Sequence, residues 1–583
     1  MMKWLYEKEN RYKFLLIFGV VMLILPITMQ VIADYRLRDN QKIVFTDIKG
    51  NSIFNTYYPG DRNFGVMLFH GMGEDQTSLD LYTSQFSQQG LHVFCTDFSG
   101  HGRSSGLIPS GNNSVNDLAL QVLRAKTKFK ELSGLEDSEI FLLGHSMGAG
   151  GIMKAVTIDS NPVNGCIILG SALGASNDNE TTTWVDELGP TNPMSNILIV
   201  TGAWDDVAPP PRAMSLYYKL ANETDIVHPQ STYSLTPEGL VKEITIFKYM
   251  THTHESMSAR SVLWMGNWIE RIVQNKHPAY SHITPDDYEQ WLVPFDFLDF
   301  RIWGLLMELG GIFVALIFGT KLLGLKQEQL LIVEKEENES SDQQTENSKL
   351  AITNIKKFIG YKLLIWLGGA VIAIIIALNL AYLPNGIPYF TLLFVCPISG
   401  YGLMMLILYS LDRMPGLVGK WRPKIKQIKE NMNWRIILFG LVVFGIITAV
   451  FSYFISSSLY HVFPLNIRLL WLAIFTVLSL PGFYFLQIEA KLIRNYSEVK
   501  DHHTKLNSLA FLAPFIIGAL YILFSGTIIY FIDALNDIII LSVIILVGNL
   551  MQKIWKKPFL TALLQSFLLF FLLLPRGQMT LLF

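Results

Sequence analysis

The chain has 583 residues, of which 50% are hydrophobic and only 16% charged, with a formal net charge of −2. Soluble proteins are usually about a quarter charged, so this balance points to a membrane, and the length points to three or four units. The lack of a basic surplus argues against a nucleic-acid partner. Three cysteines (Cys95, Cys166 and Cys396), with no CxxC or Cys/His spacing, argue against a disulfide framework and a metal site.

The first element is an uncharged apolar stretch, Phe14–Ile32, preceded by Lys3, Lys8, Arg11 and Lys13. A bilayer core of about 30 Å takes roughly 20 helical residues to cross, and this stretch is long enough. A cleaved signal peptide would show a shorter apolar core and a small-x-small site. Residues 1–34 are therefore expected to be a retained transmembrane anchor with a cytoplasmic N-terminus.

Residues 35–276 have a soluble character. "KIVFTDI" and "SIFNTYY" open as a strand pair. Strands "GVMLFH" (65–70), "HVFCTDF" (92–98), "EIFLLG" (139–144), "GCIILG" (165–170), "NILIVTG" (196–202) and "EITIFKYM" (243–250) follow. Helical stretches lie near 76–89, 114–132, from Met147 onward, 210–221 and 258–274. Strands alternating with helices predict an α/β unit, a mostly parallel sheet with helices on both faces. The near-continuous apolar strands suit burial on both sides. Residues 277–302 are expected to be a juxtamembrane linker, whose aromatic run suits a membrane interface.

From 303 to 578 the chain predicts an all-α domain of eight further spans, near 303–323, 361–383, 388–410, 436–458, 467–488, 509–531, 537–552 and 558–575. Basic residues prefer the cytoplasmic side of a membrane. Loops 324–360, 411–435, 489–507 and 552–558 hold the lysines and arginines, among them Lys326, Lys356, Arg413, Lys424, Arg494 and Lys553. The connections Leu383–Pro388, Ser456–Asn466 and Ile532–Asn536 hold almost none. With nine spans every basic loop falls on the same side as the N-terminus, and residues 35–276 fall outside the cytoplasm. The polar stretch near 327–350 reads as a disordered cytoplasmic loop. Glu308, inside the second span, is a functional hint by depth, with an interfacial hydrogen-bonded role as the plainer reading. His502 and His503 read as solvated loop residues. With few buried charges and no internal repeat, a proton-driven transporter is disfavoured.

The chemistry concentrates at strand ends, where ligands of parallel sheets bind. Gly144-x-Ser146-x-Gly148 follows a strand and opens a helix, the setting of a nucleophile elbow; alone the pattern is weak. A serine hydroxyl needs a base, and the base needs an orienting carboxylate. "LIVTGAWDDVAPP" offers Asp205, with Asp206 as its neighbouring rival. "KYMTHTHES" offers His252, with His254 as the alternate base. Two close histidines on one loop are too few for a metal centre. The Met72 amide, after the His70-Gly71 turn of "LFHGMGED", and the Met147 amide after the serine are the expected oxyanion donors. "TDFSGHGRSSG" (96–106) is expected to shape the loop beside the site, with His101 a hydrogen-bonded loop residue.

Together HGMG, DFSGHGRSSG, GHSMG, GAWDDVAP and the late histidine resemble the α/β-hydrolase superfamily, closest to the serine aminopeptidase (S33) and monoacylglycerol lipase-like group. The resemblance covers about residues 41–275 and extends to none of the membrane half. It implies a Ser-Asp-His acyl-enzyme mechanism on esters, thioesters or amides, without a cofactor. Members often carry a large helical lid; here 171–195 is short and polar, which implies an open site. The expected partners are membrane lipids and a small acyl or lipid-like substrate. The alternatives are an acyltransferase using the same triad, or a transporter or scaffold with a non-catalytic binding domain.

Overall fold

The computed structural model describes residues 7–33, 40–109, 114–159, 161–170, 196–205, 207–221, 231–235, 240–256, 258–274, 355–381, 387–411, 467–496, 500–524, 528–555, 557–573 and 579–580, with scattered positions between 307 and 322. Asp206, Glu308, the polar segments 171–195 and 327–350, the linker 277–302 and the expected span 436–458 lie outside the described residues.

Helix α1 (Lys8–Ala33) contains the expected N-terminal span. The α/β unit follows with β1 (Gln41–Thr46), β2 (Ser52–Tyr58), β3 (Gly65–Phe69), α2 (Asp80–Gln88), β4 (His92–Thr96), α3 (Ser114–Ser133), β5 (Ile140–His145) and α4 (Met147–Ile158). It continues through β6 (Gly165–Leu169), β7 (Asn196–Gly202), α5 (Pro210–Ala221), β8 (Ser231–Leu235), β9 (Val241–Phe247), α6 (His252–Glu255) and α7 (Ala259–Val273). The strands make one sheet in the order β1-β2-β4-β3-β5-β6-β7-β9-β8. β4, β3, β5, β6, β7 and β9 run parallel, while β1, β2 and β8 pair antiparallel with their neighbours.

β3, β5 and β6 are buried at every residue, which requires cover on both faces. On one face Phe129 of α3, Ile152 of α4 and Leu216 of α5 pack with Phe69, Leu142 and Ile168. On the other, Phe86 of α2 and Met265 and Trp268 of α7 pack with Val66, Leu143 and Val200. Each such side chain contributes about 1.5–3 kcal/mol when fully buried. All eight strands expected from apolar runs are present. The ninth, β8, is a five-residue edge strand, "STYSL", held by its ladder to β9 rather than by an apolar run.

The C-terminal region contains α8 (Ile355–Ala381), α9 (Tyr389–Ser410), α10 (Ile467–Tyr496), α11 (Lys500–Phe524), α12 (Ile528–Trp555) and α13 (Pro558–Leu573). Four stretches, Phe358–Leu380, Thr391–Ser410, Leu469–Lys491 and His502–Phe524, are long and apolar enough to cross a bilayer. Two boundaries differ from the sequence reading. The expected connection Ile532–Asn536 is helical, and so is most of the expected loop 489–507, which puts His502 and His503 on a helix. Apolar composition marks where a helix meets lipid, whereas its backbone hydrogen bonds carry it past that limit. Close approach is built from small residues: a Cβ on Gly400 would lie 2.2 Å from the Gly369 carbonyl oxygen.

A second correction concerns charge. Lys362 of α8 forms a buried ion pair with Glu489 of α10. The Lys362 ammonium also donates to Asn507 Oδ1 of α11 at 2.7 Å, and Tyr401 of α9 donates its hydroxyl to Glu489 Oε1 at 2.6 Å. Four helices thus meet at one polar knot that the expectation of few buried charges missed. Lys362 sits at the start of an apolar run and Glu489 past the end of another, so neither stands out in composition.

Candidate active site

Ser146 stands between the last residue of β5 and the first turn of α4, with φ 49° and ψ −109°. A non-glycine residue held there costs about 1–3 kcal/mol and persists only where its surroundings impose it. Two glycines supply the room: a Cβ on Gly144 would lie 2.5 Å from the Ala149 nitrogen, and one on Gly148 would lie 2.3 Å from the Phe69 carbonyl oxygen. The hydroxyl is therefore lifted above the carboxyl edge of the sheet, at the positive end of α4.

Two loops from later strands converge on it. After β7, Asp205 is buried, and its Oδ1 accepts the Val207 and Ala208 amides at 2.8 and 2.7 Å. After β9, His252 opens the short helix α6. Its Nδ1 lies 2.9 Å from Asp205 Oδ2 and its Nε2 lies 2.9 Å from Ser146 Oγ. A carboxylate accepts only, so Nδ1 carries the proton and Nε2 is left to accept from the serine hydroxyl. Burial alone would raise the Asp205 carboxyl; the hydrogen bond and charge of His252 and the Ala208 amide outweigh it and hold the acid below its ordinary range. His254 points elsewhere: it is exposed, and its Nδ1 lies 3.0 Å from Thr251 Oγ1. The structure thus brings together Ser146, Asp205 and His252 and leaves the alternate base outside.

The other expected residues frame this line. The loop after β3 lies against the elbow, and the Met72 and Met147 amides are used in no hydrogen bond among the described residues. In the same loop His70 is fully buried; its Nε2 accepts the Phe98 amide at 3.0 Å and its Nδ1 lies 2.8 Å from the Gly71 carbonyl. His101 is buried within 96–106, with Nδ1 3.1 Å from the Ser99 carbonyl. Asp97 organises that loop, accepting from the Gln76 and Arg103 amides at 2.8 and 2.9 Å.

Three site neighbours were not legible in the sequence. His145, immediately before the nucleophile, has Nδ1 2.9 Å from Glu74 Oε2 and Nε2 3.2 Å from the His252 carbonyl. Glu74 Oε2 also accepts the Gly71 amide at 2.8 Å. Burial would raise the Glu74 carboxyl, but the charge and hydrogen bond of His145, with the Gly71 amide, hold it at about 2. Burial would lower His145; Glu74 raises it instead. Glu255, also fully buried, follows His252 by three residues. Its burial and the adjacent Asp205 charge push its carboxyl well above the ordinary range. The sequence signal, in hindsight, is the acid in "HGMGED" and the one in "HTHES", each within five residues of a site residue. His145, His252 and Glu255 present ligand atoms all within 4.8 Å of one another, a spacing a metal ion could bridge. The ring nitrogens that face Glu255 already have hydrogen-bond partners, Asp205 Oδ2 at His252 Nδ1 and the His252 carbonyl at His145 Nε2.

Residues 62–198 match the family described as serine aminopeptidase, S33. Among curated proteins the chain is similar to a monoglyceride lipase homolog of Monkeypox virus, 36% identical over 87 residues, covering 14% of this chain and 29% of that protein. It is also similar to protein phosphatase methylesterase 1 of Candida albicans, 29% identical over 119 residues, covering 20% of this chain and 32% of that one. The chain thus spans under a third of the length of these relatives. Among solved structures it is similar to a predicted CIB-like hydrolase from Thermoplasma acidophilum, with TM-score 0.30 and 17% identity over 40% of this chain and 98% of that one. It is likewise similar to the Paleococcus ferrophilus monoacylglycerol lipase, with TM-score 0.29 and 16% identity over 38% of this chain and 98% of that one.

Proposed function

We propose that this chain, an α/β-hydrolase domain joined to a region of bilayer-length helices, is a membrane-bound serine hydrolase acting on an ester, thioester or amide of a lipid or envelope-associated acyl substrate. The observation that carries the reading is the unbroken line Ser146–His252–Asp205, with 2.9 Å at each step. Ser146 Oγ attacks the acyl carbon while its proton passes to His252 Nε2. Asp205 steadies the imidazolium, and the Met72 and Met147 amides receive the negative oxygen. The tetrahedral intermediate collapses, the leaving alcohol, thiol or amine takes the proton from His252, and the acyl group stays on Ser146. Water, deprotonated by His252, then releases the acid and restores the serine.

The apolar rim supports an amphiphilic substrate. Met72, Trp204 and Tyr249, on the three loops around the serine, are 58%, 60% and 73% exposed. Trp204 and Tyr249 meet edge to face at 5.1 Å, and Tyr249 is held at φ 61°. Leu107, on the loop after β4 at the same edge of the sheet, packs against the apolar core of the helical bundle. The one-sided Lys and Arg distribution supports nine spans, a cytoplasmic N-terminus and a hydrolase domain outside the cytoplasm.

A fluorophosphonate probe applied to intact cells and to membranes tests chemistry and sidedness together. Ser146 is expected to be labelled by an impermeant probe, and Ser146→Ala to remain unlabelled. A folded wild type that takes up no probe would leave a non-catalytic binding domain as the reading. Product analysis with added acyl acceptors separates hydrolysis from acyl transfer.

A further inference from the structure

Behind the proposed triad stands a carboxyl that the mechanism above does not use. Glu255 is fully buried, and its Oε1 accepts the Gly202 amide at 2.7 Å. Its Oε2 has no hydrogen-bond partner among the described residues and lies 3.7 Å from both His252 Nδ1 and His145 Nε2. The place is made for it. Gly170, at the end of β6 with φ +57°, would put a Cβ 1.9 Å from Glu255 Oε2, so no larger residue fits there. Tyr82 of α2 donates its hydroxyl to the Glu255 carbonyl at 2.6 Å and fixes the turn that carries it.

Resting on the serine-hydrolase reading, we propose that Glu255 is a second acid of this site, held in reserve behind His252 and able to take over from Asp205. Two carboxylates beside one imidazole do not both ionise. Asp205 accepts two backbone amides besides His252, whereas Glu255 accepts one, so Asp205 carries the charge. Glu255 is faced by Asp205 from the loop after β7, by His145 from the end of β5, and by His252 on its own helix. Glu74 stands behind His145 and reaches Ser256 Oγ at 3.3 Å. His145 and Glu74 compensate each other, so Asp205 is the one uncompensated negative charge facing Glu255. Remove it, and the principal opposition to ionising Glu255 is gone. A shift of about 1 Å then brings Oε2 into hydrogen-bond range of His252 Nδ1.

The test uses the full chain in nanodiscs and reads the second-order rate of Ser146 labelling by a fluorophosphonate between pH 5 and 9. Removing the acid of a Ser-His-Asp site ordinarily costs roughly 10⁴-fold. Asp205→Ala is expected to cost only about 10²-fold, Glu255 replacing part of that acid's role. Its rate should rise with pH through a new limb, as Glu255 ionises. Glu255→Gln should then cost at least about tenfold more in the Asp205→Ala background than in the wild type, a coupling between neighbouring groups. Equal rates for Asp205→Ala and the double variant overturn the proposal. So does an Asp205→Ala profile without the new limb, a reading that needs no change at position 255. If the wild type itself is not labelled, the serine-hydrolase reading fails first; if it is labelled and the double variant adds nothing, only the role of Glu255 fails.

Discussion

Two imidazole–carboxylate pairs flank Ser146, and they are alike at one end and different at the other. His252 and His145 each place Nδ1 2.9 Å from a carboxylate, Asp205 and Glu74. The second nitrogen decides what the pair is for. His252 Nε2 meets a hydroxyl that can give up its proton, at 2.9 Å; His145 Nε2 meets the His252 carbonyl, which can only accept, at 3.2 Å. In the proposed mechanism the first pair moves a proton. The second ties the end of β5, the loop after β3 and the base loop together, so that the first stays aligned. A carboxylate beside a histidine is therefore no sign of a catalytic base until the other nitrogen's partner is known.

The largest break in this comparison is expected from removing each ring in turn. His252→Ala should slow labelling of Ser146 by roughly 10⁶-fold, as loss of a triad base does. His145→Ala should cost far less, about ten- to a hundredfold, because it disturbs alignment rather than proton transfer. Equal losses measured on folded protein would erase the distinction. A third buried pair, far from any reactive group, sharpens it. Lys362→Ala leaves Glu489 charged and unpaired in the helical bundle, and should destabilise that region by about 3–5 kcal/mol, read by detergent-titrated unfolding. A change under about 1 kcal/mol would show that the knot does not hold the bundle.

The smallest expected effect is in pH. Glu74 is held down to about 2 from 4.5, so its contribution to stability is present above pH 4.5 and lost as pH falls toward 2. His145 is raised from 6.5, so its contribution is full below 6.5 and lost as pH rises through its shifted value. Both are present between those limits. Glu74→Gln should therefore be less stable than the wild type by about 1–3 kcal/mol near pH 5.5, with the gap shrinking at about pH 2 and in the alkaline range. Thermal unfolding of the two proteins across pH measures it, and a constant gap would mean the pair is not ionised.

Much of this was legible in the order of residues. The Gly144-x-Ser146-x-Gly148 turn, the acid after β7 and the histidine after β9 are local patterns at strand ends, and eight of the nine strands of the large sheet are apolar runs. Choosing His252 over His254 was not legible, because both follow the same strand two residues apart. The turn at α6 points one ring at Ser146 and the other at Thr251. Glu74, His145 and Glu255 escaped for a related reason: each looks like a solvated loop residue until three separate loops close over it.

By itself, then, the sequence determined which segments are strands, which are apolar helices, and which turn lifts a serine between two glycines. These depend on neighbours within a few positions, where backbone sterics and periodic burial act. Only the tertiary structure decided which imidazole reaches that serine, which carboxyls are ionised around it, and that Lys362 and Glu489 share one buried knot. Those outcomes depend on distances between residues tens to hundreds of positions apart, and on the water excluded when they meet.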